Sequence, residues 1–231
     1  MSVDIDFEAD GFALIESVVD SKELEALAPV MLREGAVVGS RCLLDRPEIA
    51  ALAIKLKSHH ELRSLIPEEQ VAVQCTYFEK SSDRNWLVAL HQDLSIPVAR
   101  RVDAPELRGW SDKEGTLFVQ PSREVLEQLI AVRLHVDACG ADDGPLRVVP
   151  GSHRQGVFTP EAGAAVRADR GESTCVASAG DALVLRPLAL HASSKSVGNS
   201  RRRVLHFVFG PARLPFGLEW AVSRERTSSM S

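Results

Sequence analysis

Cysteine is scarce in this chain and scattered. Cys42, Cys75, Cys139 and Cys175 are widely separated and form no CxxC pair. That pattern argues against a disulfide framework and against a cysteine-based structural zinc, and it fits a reducing compartment. Each thiol is expected to be a small buried apolar group. No apolar run is long enough to span a bilayer. The opening MSVDIDFEADGF is acidic and lacks the basic-then-apolar order of a signal peptide, so a cytoplasmic protein without a membrane partner is expected. A net charge of −5 supplies no basic field for nucleic acid. Internal repeats, low-complexity blocks and convincing linkers are also missing.

What remains is ordinary globular composition: 231 residues, 45% hydrophobic and 26% charged. This is enough to bury a full core and too apolar for disorder. One domain of this length is common among β-barrels and sandwiches.

The first third reads as mostly helical. A strand-like run, GFALIESVV, covers 11–19. Asp20 then opens a helix with Glu23 in the capping-box position, and Leu24, Leu27, Ala28 and Met31 fall on one face. Pro29 is expected to kink or shorten it. A second helix is predicted from Asp45, with Pro47 in its first turn and Glu48 at the box position. Ile49, Leu52, Ala53 and Leu56 keep the 3.6-residue period that turns one face to a core. His59 and His60 at its end are expected to be solvated.

From Val71 the rhythm changes to two residues. VAVQCTYFEK alternates with β-branched and aromatic side chains, as a strand does. Further strand-like runs span 86–90, 116–119, 130–136, 146–149, 182–185 and 204–209. Turn signals such as Asp143-Gly144-Pro145, Pro150-Gly151-Ser152, Gly180-Asp181 and Gly198-Asn199-Ser200 separate several of them. Many short strands after a helical opening predict a mainly β sandwich or barrel with flanking helices. The stretch 100–115 breaks the pattern and reads as a long loop, either a lid or a solvated excursion. The polar segment from Ser223 to Ser231 is expected to fray.

The chemistry concentrates in NWLVALHQD and in GDALVLRPLALHASSKSVGNSRRRVLHFVF. In a strand, side chains at i and i+2 share a face, so His91 and Asp93 point together while Gln92 points away. An imidazole and a carboxylate supply two adjacent ligands, and His191 is the natural third. Two histidines and a carboxylate form the facial triad of non-haem Fe(II) oxygenases, although zinc hydrolases use the same set. Arg202 favours the first, because an iron-chelating 2-oxoglutarate needs a buried partner for its far carboxylate, and a guanidinium stays charged there. Arg202, Val204, His206 and Val208 share one strand face. Arg201 and Arg203 share the other with Leu205, Phe207 and Phe209. Alternation does not say which face is inward, and at least one of the three arginines is expected to be a solvated basic turn.

These segments, together with RLHVDACGADDGPLRVVPGSHRQG, resemble the phytanoyl-CoA dioxygenase family of Fe(II)/2-oxoglutarate oxygenases. The likeness runs from about Val71 to Trp220, with GFALIESVVDSKELEAL resembling the family's N-terminal opening. It implies a double-stranded β-helix (a cupin-like jelly roll) in which His91, Asp93 and His191 bind Fe(II). It also implies that Arg202 holds 2-oxoglutarate and that O2 is consumed. These four positions show no departure from the family pattern. Asp93 is a carboxylate where related halogenases carry a small residue, so halogenation is not expected. Residues 1–231 are then one oxygenase domain: a helical part over 1–70 packed on the barrel, a jelly-roll core over 71–222, and a polar tail over 223–231. The expected partner is a small-molecule substrate. The rivals are a cupin-like metal enzyme that does not use 2-oxoglutarate, a non-catalytic binding module on the same fold, and a plain β-rich structural domain.

Less specific candidates are Gln74, Thr76 and Lys80, placed to hydrogen-bond a co-substrate, and Arg133 or His135, one of which lines the pocket. His153 and Trp86 are expected to be structural, and the Asp143–Leu146 turn is given no chemistry.

Overall fold

The computed structural model describes residues 6–31, 43–81, 83–198 and 201–221. The expected frayed tail at 223–231, Cys42 and part of the 198–200 turn lie outside the described residues.

Among the described residues, twelve strands follow one another. The first are β1 (Phe12–Ile15), β2 (Gln70–Lys80), β3 (Val88–His91) and β4 (Ile96–Val98). β5 (Arg108–Lys113) and β6 (Thr116–Gln120) come next, then β7 (Ile130–His135), β8 (Leu146–Val148) and β9 (Ser173–Cys175). β10 (Ala182–Leu185), β11 (His191–Ser193) and β12 (Arg202–Pro211) complete the set. A five-stranded sheet in the order β1-β10-β7-β12-β2 faces a four-stranded sheet in the order β3-β11-β8-β9, and β4-β6-β5 form a third. All of the pairings are antiparallel, giving a mainly β jelly roll of the cupin type.

The two faces of the five-stranded sheet do different work. On the outer face Cys75, Tyr77, Ile130, Val132, Leu134, Leu205, Phe207 and Phe209 pack against Leu24, Ile49, Leu52 and Leu56 from the helices. Fully burying one such side chain contributes roughly 1.5–3 kcal/mol, so the N-terminal helices are held as the sheet's apolar cover. The inner face turns toward the four-stranded sheet and forms the wall of a cavity.

Local outcomes follow from identifiable residues. The first predicted helix is short, Ser21–Leu27. Asp20 accepts from the Glu23 N–H at 2.9 Å, and Pro29 falls in a 3-10 turn, Ala28–Val30, that ends it. The second spans Pro47–Ser58 and buries Ile49, Leu52, Ala53 and Leu56 as its period predicted. Its N-cap is Arg46 rather than Asp45, because Pro47 occupies the first helical position and Asp45 closes a preceding 3-10 turn.

One expectation about the elements fails. Residues 100–115 are not one loop, since 108–113 form β5, hairpinned to β6 through Glu114 and Gly115, both with positive φ. The helix Pro160–Arg170, capped by the Thr159 hydroxyl and ended at Gly171, is not anticipated by any apolar period; Gly163 is its buried residue. Among the described residues, no helix is long and apolar enough to cross a membrane.

Candidate metal centre

His91 closes β3 and His191 opens β11, and the two are register partners in the antiparallel pair. Their ring centroids lie 4.2 Å apart. β3 ends at His91, so Asp93 reaches the site from the extended segment beyond the strand, where its N–H donates to the Pro187 carbonyl at 2.9 Å. Gln92 turns away, as alternation requires. Its amide donates to the Gly156 and Leu188 carbonyls at 2.8 and 2.7 Å and accepts from the Phe158 N–H at 2.9 Å. This pins the segment and aims Asp93 back at the two histidines.

One ligand atom from each of His91, Asp93 and His191 lies within 4.8 Å of the others. In both histidines Nδ1 sits 2.8 Å from a backbone carbonyl, Ala89 or Ala189. A carbonyl only accepts, so each Nδ1 carries the hydrogen and each Nε2 presents a lone pair to the centre. Those Nε2 atoms stand 3.6 and 3.7 Å from the Asp93 oxygens. Such distances are long for hydrogen bonds and leave space for a cation among three electron-pair donors.

Burial would raise the Asp93 pKa, but His191, His91 and His206 outweigh it and hold the carboxyl well below the usual range. Burial pushes His191 down to about 4, against the pull of Asp93. At His91 burial is outweighed by Asp93, and the pKa is raised.

The surrounding cavity has a volume of about 370 Å³ and is walled by both sheets. Of the lesser candidates, Gln74, Thr76, Lys80 and Arg133 line it, while His135 does not. Both His135 ring nitrogens are buried without a hydrogen-bond partner. His153 stands away from the cavity, its ring filling the space that Gly11 leaves by having no side chain. Trp86, expected in the core, lines the cavity instead, and the Lys80 ammonium stands 5.7 Å from its ring centroid. Val88 begins β3 just after it, so Trp86 lies ahead of the strand at the cavity rim.

Arg202 is 4% exposed and lines the cavity, so the face it shares with Val204, His206 and Val208 is the inward one. Its Nη1 donates to the Gly144 carbonyl and lies 3.9 Å from the Cys139 sulfur, and its Nε has no partner. The Gly144 turn therefore has a role that the sequence did not assign. Opposite Arg202 in register is Lys80, 1% exposed, whose ammonium donates to the Ser193 hydroxyl and the Ser194 carbonyl at 2.8 and 2.6 Å.

His206 and Ser193 were not singled out from the sequence. Strand alternation puts His206 on the Arg202 face, and that was the available signal. The Arg133 Nη1 lies 3.3 Å from His206 Nδ1. Guanidinium only donates, so Nδ1 accepts and His206 Nε2 carries its hydrogen toward Asp93 Oδ2, 3.8 Å away.

The family model described as phytanoyl-CoA dioxygenase matches residues 7–204. No curated protein matches. Among solved structures, HygX from Streptomyces hygroscopicus with nickel and 2-oxoglutarate bound is 18% identical. That match covers 89% of this chain and 84% of that one, with a TM-score of 0.60. EctD from S. alaskensis in its apoform is 17% identical over 91% and 78%, with a TM-score of 0.66. The epimerase SnoN in complex with Fe3+, alpha ketoglutarate and nogalamycin RO is 18% identical over 91% and 84%, with a TM-score of 0.63. At these identities the structural likeness establishes a shared fold.

Proposed function

The chain belongs to the phytanoyl-CoA dioxygenase family, and on that premise we propose that His91, Asp93 and His191 hold Fe(II) while Arg202 anchors 2-oxoglutarate. The enzyme class is that of the family: a non-haem Fe(II)/2-oxoglutarate-dependent dioxygenase. The observation that carries the residue assignment is the convergence of three electron-pair donors within 4.8 Å, with both imidazole tautomers set by backbone carbonyls. Such second contacts orient metal-binding rings and raise their basicity.

When bound, iron with 2-oxoglutarate and O2 supplies the oxidation, the oxo acid leaving as succinate and CO2. The chain's own residues bind, orient and exclude water. Arg202 meets the far carboxylate with its planar fork, and Lys80 and Ser193 close around the same end. Phe78, Trp86, Leu94, Phe118, Leu129 and Val208 provide apolar wall for a small organic substrate. We assign hydroxylation of that substrate as the outcome. Asp93 is a carboxylate where related halogenases carry a small residue, which speaks against halogenation. Family membership favours this reading over a cupin-like enzyme without 2-oxoglutarate and over a binding module. A cytoplasmic location and a single oxygenase domain belong to the same reading.

The test is succinate release. The wild type is expected to form succinate only with Fe(II), 2-oxoglutarate and O2 together, and Asp93→Ala to form none while melting normally. Undiminished succinate from the variant would refute the assignment.

A further inference from the structure

Arg133 lies on β7, in the interior of the five-stranded sheet, and its side chain lines the cavity while only 8% exposed. It donates to His206 Nδ1, and its guanidinium carbon stands 5.5 Å from the Phe78 ring centroid. Its Nε is buried with no hydrogen-bond partner. Among the described residues, no carboxylate lies within ion-pair distance of it. The arginines that flank Arg202 are different, since Arg201 reaches Glu79 at 3.1 Å and Arg203 reaches Asp137 at 2.6 Å. An unpaired buried cation is costly to retain for packing alone. Burial and the nearby Arg202 already pull its pKa down to about 10, and Asp93 is the acidic group that opposes them. Two positive charges of a metal at the triad would offset that carboxylate and leave Arg133 short of an anion.

Position says which anion. In the β7–β12 register Arg133 sits opposite His206, the residue that reaches Asp93. Arg202 lies four residues before His206, about 13 Å along the strand, opposite Lys80. The inner face thus carries one guanidinium on His206, next to the triad, and another farther along the strand beside Lys80.

We propose that Arg133 grips the carboxylate at the metal end of the 2-oxo acid, as Arg202 grips the distal one. This rests on the co-substrate reading above and goes further by dividing the two carboxylates between two arginines. Arg133 is a positioning residue for the chelating end.

The test is anaerobic calorimetry on the Fe(II)-loaded protein, with metal content verified. Two ligands are used: 2-oxoglutarate, and 2-oxopentanoate, which has the same chain length but no distal carboxylate. Arg133→Gln is expected to weaken both by about tenfold or more, equivalent to at least about 1.4 kcal/mol. Arg133→Lys should restore part of the loss. Arg202→Gln should weaken 2-oxoglutarate and leave 2-oxopentanoate at its wild-type affinity. Wild-type affinity of Arg133→Gln for both acids overturns the proposal, and so does a loss confined to 2-oxoglutarate, which would move Arg133 to the distal end. Should Arg133→Gln fail to fold, Arg133→Lys decides: equal weakening of both acids supports the proposal, and no change overturns it. A metal-loaded wild type that binds neither acid overturns the co-substrate reading as well.

Discussion

The two faces of β12 are built from alternating residues of one ten-residue strand, yet they treat charge in opposite ways. Outward, Arg203 meets Asp137, Arg201 just ahead of the strand meets Glu79, and Leu205, Phe207 and Phe209 sit in the core beneath the helices. Inward, Arg202 with Lys80 opposite it and Arg133 opposite His206 face a cavity whose one lining carboxylate among the described residues is Asp93. The outer cations are neutralised by the fold. The inner ones are left for something the fold does not itself supply. A buried arginine that lacks its counterion, beside one that has it, is a clearer sign of a binding site than burial or charge alone.

That contrast can be broken by mutation on either side. The largest effect is expected at the triad itself. His191→Ala should lose iron and reduce turnover to background, as judged by metal analysis and succinate release; retention of both would separate the triad from the chemistry. Next is the outer core, where Phe207→Ala should cost about 3–5 kcal/mol in a denaturant titration. A smaller loss would mean that the helices do not depend on that face. Third, Arg202→Ala should raise the 2-oxoglutarate requirement by about tenfold or more, a loss of at least about 1.4 kcal/mol of binding. Arg203→Ala should leave that requirement alone and cost roughly 1 kcal/mol or less of stability. If steady-state kinetics show the reverse, the two faces have been exchanged.

The smallest effect is one of pH. Burial, with Arg202 and Arg133 adding, lowers Lys80 to about 8. Its folded pKa lies below the ordinary lysine value, so above about 8 the folded protein has released a proton that the unfolded chain still holds. Stability therefore gains from this group as pH rises through that window. Affinity for 2-oxoglutarate should move the other way, falling above about pH 8 as the ammonium loses its charge. Lys80→Met should flatten that fall in a binding titration; an unchanged slope would remove Lys80 from the co-substrate end.

Much of this was legible in the residues because the physics is local. The i, i+2 spacing of His91 and Asp93 survives even though β3 stops at His91, since Gln92 is bonded on the opposite side. The helix Pro47–Ser58 and the strand Ala182–Leu185 are read directly from their periods. Alternation left the Arg202 face open because nearly every residue of β12 is buried, so neither side is marked by polarity alone. β5 was hidden by its charges and by the positive φ of Gly109, and the helix Pro160–Arg170 has no apolar stripe to read. The pairing of Arg133 with His206 depends on a long-range register between strands some 70 residues apart, which no local pattern encodes.

Anaerobic titration of the apoprotein with Fe(II) and then 2-oxoglutarate, followed by visible absorption, bears most directly on whether the triad and Arg202 form one site. A band is predicted that requires both additions, disappears in Asp93→Ala, and needs far more 2-oxoglutarate in Arg202→Ala but not in Arg203→Ala. A wild type with no such band, or a band indifferent to Asp93, would contradict the account.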